Sequence, residues 1–233
     1  LPAIPTHWTH PPDLRAARAA QEEMAAAVIR EDAFGPVTRL GAADTSAQRF
    51  DPQRRIYAAL VTLDGPRIAA ATHADTARFP YVPGYLGFRE IPALLEAWTQ
   101  LTPKPDLILV DGHGLAHPRG MGIATQLGLV LDMPTIGVAK SLLVGTLAAP
   151  LGPAPGDQAP LLHKDQLIGM ALRTRRNANP LYISIGHRIS LPTAIAWVRQ
   201  TTGPYRLPAP IRAAHDAANT LRRASLAAHE ACA

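Results

Sequence analysis

The sequence predicts an α/β fold: a mixed sheet, opened by a three-strand meander and continued by alternating β and α units, with helices on its faces. Three observations carry that prediction. Residues 37–45, 56–63 and 67–73 are successive strand-like runs, and Asp64 with Gly65 between the last two is a tight-hairpin signal. LILVDG, at 107–112, and TIGVA, at 135–139, are short continuous apolar runs of the kind that form buried parallel strands. Helical patterns lie between and after them, at 91–101 and 120–132, so strands and helices alternate through the middle of the chain.

The remaining elements follow in order. Asp13 is placed to cap a first helix in which Leu14, Ala17, Met24 and Val28 recur at helical spacing, closed near Gly35 and Pro36. The Pro/Gly-rich stretch from Ala148 to Pro160 reads as a surface loop, and 166–173 with 181–185 as a hairpin extension. Helices are expected at 192–201 and 208–228. The chain of 233 residues is long enough for one sizeable core, with no composition break, so a single domain over 1–233 is expected.

Composition narrows the function. The formal charge is +5 and the excess is almost all arginine, whose planar fork suits phosphate. The lone Cys232 excludes a disulfide framework and a cysteine-based zinc site. No apolar run reaches membrane-spanning length, and LPAIPTHWTHPP has neither a basic nor an apolar targeting region. A cytoplasmic protein that does not enter membranes is expected.

Three acids point to chemistry. Asp44 lies in the first strand and Asp111 ends LILVDG; if those strands are parallel neighbours, their carboxylates emerge at one sheet edge. Glu90, from the segment FPYVPGYLGFREIP at 79–92, is placed to complete the cluster. Pro80 and Pro83 stiffen that segment and should hold it out as a loop around Tyr81. Converging carboxylates repel unless a cation sits among them, and oxygen ligands favour Mg²⁺ or Mn²⁺. Asp111 also opens DGHGLAHPRGMGIA, in which Gly112 and Gly114 permit close backbone approach while His113 and His117 offer imidazoles to phosphate or to neighbouring ligands. These glycines fit neither a dinucleotide fingerprint nor a P-loop. Lys140, after TIGVA, would stand at the same edge and neutralise a phosphate. His215 and Asp216 are adjacent on a predicted helix, about 100° apart, so one of the two should face the site.

The motifs FPYVPGYLGFREIP, VDGHGLAHPRGMGIATQLG, GVAKSLL, RTRRNANPLYISIGHRISLPTA and YRLPAPIRAAH, in that order, resemble the endonuclease V family of deoxyinosine-directed nucleases. The resemblance covers roughly Leu40 to His215 and implies a ribonuclease-H-like fold. It implies that Asp44, Glu90 and Asp111 are catalytic metal ligands, with Lys140 on the phosphate side. The fourth metal-site position falls on His215 when counted from Arg212, with Asp216 beside it as the alternative. Tyr81, between Pro80 and Pro83, would be the wedge; Val82 stands where the family commonly has isoleucine. Gly84, Leu86, Gly112, Ile123 and Leu143 would receive the base, while His117, Arg119 and the cluster of Arg173, Arg175 and Arg176 would meet the substrate strand. The implied activity is Mg²⁺-dependent hydrolysis, with Mn²⁺ substituting, of the second phosphodiester bond 3′ to deoxyinosine in DNA. Inosine-containing RNA, another structure-specific nuclease activity and a non-catalytic nucleic-acid-binding module are the alternatives. A monomer is expected.

Overall fold

A computed structural model of the chain describes residues 3–48 and 50–231, so Cys232 lies outside the described residues. Nine strands form one mixed sheet in the order β3-β2-β1-β4-β5-β9-β8-β7-β6. Its first five positions hold β1 (Leu40–Ser46), β2 (Arg55–Asp64), β3 (Arg67–Thr76), β4 (Leu107–Val110) and β5 (Thr135–Ala139). β1 pairs antiparallel with β2, while β1, β4 and β5 run parallel. This is the expected ribonuclease-H-like mixed sheet.

Alternation along the strands divides the core. Ala43, Ile108 and Val110 face one side, where Ile91 and Leu94 of α2 (Leu86–Gln100) and Ile123 and Leu127 of α3 (Ile123–Leu131) pack on them. Ala42, Leu107 and Leu109 face the other side, covered by Ile195 and Val198 of α4 (Leu191–Thr201) and Ile211 and Ala214 of α5 (Ala209–Ala231). Both faces are dry, which is why LILV carries no polar residue.

Several boundaries differ from the sequence expectation for identifiable reasons. α1 (Leu14–Ala26) is capped by Asp13, whose side chain accepts from Ala16 N at 2.7 Å, but it ends before Val28. There Ile29 is tethered elsewhere, its amide donating to His187 Nδ1 and its carbonyl accepting from Arg188 N. β1 starts at Leu40 because the Asp106 carboxylate takes the amides of Thr38 and Arg39 at 2.9 and 2.8 Å. In the β2–β3 hairpin Asp64 pairs with Arg67, so the turn residues are Gly65, at φ 56°, and Pro66.

Two corrections bear on the site. α2 begins at Leu86, five residues earlier than expected, so Glu90 belongs to a helix and the stiff loop is confined to the residues before it. Pro92 lies inside this helix, leaving the Phe88 carbonyl without its usual amide partner; burial of Phe88, Ile91, Leu94 and Ala97 outweighs that loss. The stretch read as a surface loop also contains strand: β6 (Thr146–Leu147) precedes it and β7 (Gln158–His163) ends it. Pro160 masks β7, and is tolerated next to the end of the short outer strand β6, where its carbonyl still accepts from Ala148 N at 2.9 Å and no N–H is required. β8 (Gln166–Leu172) joins β7 to β9 (Leu181–His187), which closes on β5. Among the described residues no helix is long and apolar enough to cross a membrane.

Candidate functional site

Parallel pairing of Ala43 with Val110 brings the next residue of each strand, Asp44 and Asp111, out at the same sheet edge, and the Asp111 amide donates to the Ala43 carbonyl at 3.0 Å. α5 crosses this edge and turns His215 inward, whereas Asp216 is exposed. Helical rotation therefore places His215, and not Asp216, beside Asp44. Ligand atoms of Asp44, Asp111 and His215 lie within 4.8 Å of one another. Lys140, one residue past β5, forms an ion pair with Asp111 Oδ2.

Glu90 reaches the edge from α2 and hydrogen-bonds to the Thr45 side chain, but it stands outside the group of atoms within 4.8 Å. It is close enough to share charge with both aspartates. Burial pushes Glu90 up to about 7, with Asp44 and Asp111 adding repulsion. Burial and the Asp111 charge likewise push Asp44 up to about 6, despite its bonds from His215 and Thr45.

These shifts fix how stability depends on pH before any cation binds. Both acids hold protons in the folded chain that they lose in the unfolded one between about pH 4 and 7, so folding weakens as pH rises through that window. The penalty is absent below it and complete above it. Asp44→Asn should raise the stability of metal-free protein by about 1–2 kcal/mol at pH 7.5 and leave it nearly unchanged at pH 4, read by urea denaturation in chelator.

A hydrogen-bond chain sets the state of His215. Arg222 has only donors, and its Nη2 points at Asn219 Oδ1 at 3.3 Å while its Nε donates to Ser46 Oγ at 2.9 Å. Ser46 in turn bonds Asn219 Oδ1 at 2.8 Å, so the Asn219 amide nitrogen faces His215 Nε2 at 2.9 Å. Nε2 is then the acceptor, and Nδ1 carries the proton donated to Asp44 Oδ2 at 2.8 Å. Neither Ser46, Asn219 nor Arg222 carries a sequence signal for this role.

The cluster fits a divalent cation. Two repelling carboxylates, a third nearby and an imidazole supply oxygen and nitrogen donors, and a cation among them relieves the charge that raises Asp44 and Glu90.

Beside the acids, the 111–122 loop lies flat on the sheet because glycines leave room. A Cβ on Gly114 would come within 2.0 Å of the Ile185 carbonyl oxygen, and one on Gly137 within 2.4 Å of the Gly114 amide. Ile123 presses against Gly112, where an added Cβ would meet it at 2.5 Å. Tyr81 is 71% exposed, and Leu86 and Leu143 are also exposed apolar residues. Pro80 and Pro83 flank Tyr81 outside any helix or strand.

The 111–122 loop also holds the Tyr81 segment in place. Arg119 Nη2 donates to the Gly84 carbonyl at 2.8 Å, and His117 Nε2 bonds it at 3.0 Å. His117 Nδ1 accepts from the amides of Arg119 and Met121, so its proton sits on Nε2. Burial and the Arg119 charge depress its pKa to about 4, which keeps it neutral. The Arg119 guanidinium also lies 4.3 Å from the Tyr85 ring centroid. The structure thus assigns His117 and Arg119 contacts to the loop itself. His113 is pushed down to about 4 by burial, and its Nδ1 has no hydrogen-bond partner among the described residues. Arg173 is taken up by the carbonyls of Gly152 and Ala178, leaving Arg175 and Arg176 exposed.

Comparison with known proteins accounts for nearly the whole chain. A family profile described as Endonuclease V matches residues 22–216. A protein named Endonuclease V from Rhodospirillum centenum is 47% identical over 227 residues, covering 96% of this chain and 95% of its own. The crystal structure of Endonuclease V from Streptomyces avermitilis superimposes with a TM-score of 0.85 at 37% identity, covering 95% of this chain and 98% of its own. That of Ciona intestinalis Endonuclease V, in complex with DNA containing an inosine followed by a ribo-adenosine, gives 0.74 at 25% identity over 88% of this chain and 95% of its own.

Proposed function

This chain belongs to the Endonuclease V family of nucleases, and on that premise we propose that it cuts DNA at deoxyinosine, hydrolysing the second phosphodiester bond on the 3′ side in a reaction that requires Mg²⁺. The observation that carries the proposal is the Asp44–Asp111–His215 cluster at the sheet edge, with its atoms within 4.8 Å of one another. The Ciona relative, bound to inosine-containing DNA, supports the choice of substrate.

Asp44 and Asp111 would hold the cation, joined by Glu90 and His215. Bound there, a divalent ion supplies a Lewis acid for the phosphate oxygens and lowers the pKa of water; Mn²⁺ has the same capacity. Water adds to phosphorus, the bond to the 3′ oxygen breaks, and the products carry a 3′-hydroxyl and a 5′-phosphate. Lys140 orients Asp111 and neutralises charge on the phosphate side. In the metal-free chain His215 Nδ1 donates its proton to Asp44, and His215 would give up that proton to join the cation's ligands.

Selection works by extrusion of a weakly paired base. Tyr81 fills the vacated stack, while Gly84, Leu86, Gly112, Ile123 and Leu143 shape the receiving pocket. The pairing of two prolines around an exposed tyrosine supports that role, since a wedge must hold its direction when a base leans on it. Arg175 and Arg176 are exposed and suit sequence-independent phosphate contacts.

A panel of equal-length substrates tests the proposal: an inosine duplex, a mismatch, a flap, an RNA–DNA hybrid and inosine RNA, each with Mg²⁺. Preferential nicking of the inosine duplex is expected. Equal cutting of mismatch or flap would assign a general structure-specific nuclease, and binding without cutting a non-catalytic module.

A further inference from the structure

We infer that Gln21, on α1, is a positioning residue for the loop that carries Tyr81, and that the N-terminal helix is thereby part of the apparatus that selects the base. Gln21 is 1% exposed, although glutamine is a residue that seldom enters a core without partners. Its Nε2 donates to the Gly84 carbonyl at 2.9 Å, across 63 residues of sequence, and approaches the Met121 carbonyl at 3.4 Å. Its Oε1 accepts from Arg119 Nε at 2.5 Å. Arginine has no acceptor, so the amide cannot be turned the other way without setting donor against donor.

The Gly84 carbonyl therefore receives three donors, from Gln21, His117 and Arg119. A carbonyl oxygen has two lone pairs, and a typical buried one is satisfied by one or two bonds. Convergence of three side chains from α1 and the 111–122 loop immobilises one peptide plane: that of Gly84, whose φ of 80° is open to glycine and strained for other residues. A Cβ there would also stand 3.1 Å from Arg119 Nη2. Gly84 lies three residues after Tyr81 and two before α2, the helix that carries Glu90. The Tyr85 amide closes the intervening turn by donating to Val82 O at 3.0 Å. One fixed plane thus sets the direction of the exposed tyrosine that precedes it.

His117 and Arg119 belong to the motif that holds Asp111, whereas Gln21 comes from outside it. Its removal leaves Arg119 Nε unpaired and the Gly84 carbonyl with two donors, both from the 111–122 loop. The Tyr81 segment then loses the hydrogen bond that ties Gly84 to α1, while Asp44, Asp111 and His215, on β1, after β4 and on α5, are untouched.

This inference rests on the reading of Tyr81 to Leu86 as the base-handling segment, and the test separates the two. Gln21→Leu removes the donor at similar volume; Gln21→Glu keeps an acceptor for Arg119 and removes the donor to Gly84. Ala17→Gly weakens α1 without touching the Gly84 carbonyl and serves as the control for simple loss of stability. Amide hydrogen exchange at Tyr85 should accelerate about tenfold or more in both Gln21 variants and not in Ala17→Gly. On an inosine duplex, KM should rise about tenfold in the Gln21 variants with kcat within twofold of wild type. Equal Tyr85 exchange in Gln21→Leu and Ala17→Gly would overturn the inference, as would a KM unchanged alongside a lowered kcat. Should the wild-type chain cut no inosine substrate, the activity proposal fails by itself, and the exchange measurement still decides whether Gln21 fixes the loop.

Discussion

Asp111→Ala is expected to fold, to bind an inosine duplex, and to cut it at least about a thousandfold more slowly than wild type in single-turnover assays with saturating Mg²⁺. Asp111 shares the sheet edge with Asp44 and carries the Lys140 ion pair, so its loss removes an anionic donor and frees Lys140 together. The same substitution removes the neighbour that helps to raise Asp44, so the metal-free variant should be no less stable than wild type at neutral pH. Loss of cutting with retained or raised stability distinguishes a site residue from a structural one. Cutting at the wild-type rate would remove Asp111 from the chemistry, and a collapse in stability would make it a packing residue.

Tyr81→Ala should lower kcat/KM on duplex inosine by about 10- to 100-fold, the range that follows from stacking energies of about 1–3 kcal/mol per base. Tyr81 is 71% exposed, so its truncation should change stability by no more than about 0.5 kcal/mol. The deficit should shrink on single-stranded inosine, where no stack needs filling. Tyr81→Phe should retain most of the activity because the ring, not the hydroxyl, fills the gap. An equal deficit on duplex and single strand would point to ordinary strand binding and away from a wedge.

What could be read in advance depended on whether the determining partner was local. β4 and β5 were legible because a strand buried on both faces must be continuously apolar, and the pairing of Asp44 with Asp111 follows once β1 and β4 are parallel. The start of α2 was hidden by Pro83 and Pro92, two breaker signals that packing of Phe88, Ile91 and Leu94 overrides. Pro160 hid β7 in the same way, because only the sheet order shows that it lies beside the end of the two-residue outer strand β6. His215 and Asp216 could not be separated by pattern, since the choice lies in the rotation of α5 about its axis over β1 and β2. Gln21 and Asn219 carried no signal at all. Each acts through a partner brought to it by tertiary structure: Gly84 in one case, and Ser46 and Arg222 in the other.

His117 and Arg119 carry contacts that residue type did not show. Residue type alone directed both toward the substrate, as histidine and arginine near a phosphate site suggest. In the structure both also hold the Gly84 carbonyl, a partner brought to them by tertiary structure. Arg173 repeats the pattern in the extension, where the Gly152 and Ala178 carbonyls take its donors. An arginine beside a Pro/Gly-rich loop has many carbonyls to satisfy before it can reach a phosphate.

The most direct measurement is strand cleavage of a 5′-labelled duplex bearing one inosine, run beside the same duplex bearing adenine, with Mg²⁺ and with chelator. A single nick at the second bond 3′ to inosine, dependent on Mg²⁺ and absent from the adenine duplex, is expected. An uncut inosine strand with folded protein and Mg²⁺, or a nick indifferent to inosine or to chelator, would contradict a cation-dependent inosine nuclease built on Asp44, Glu90 and Asp111.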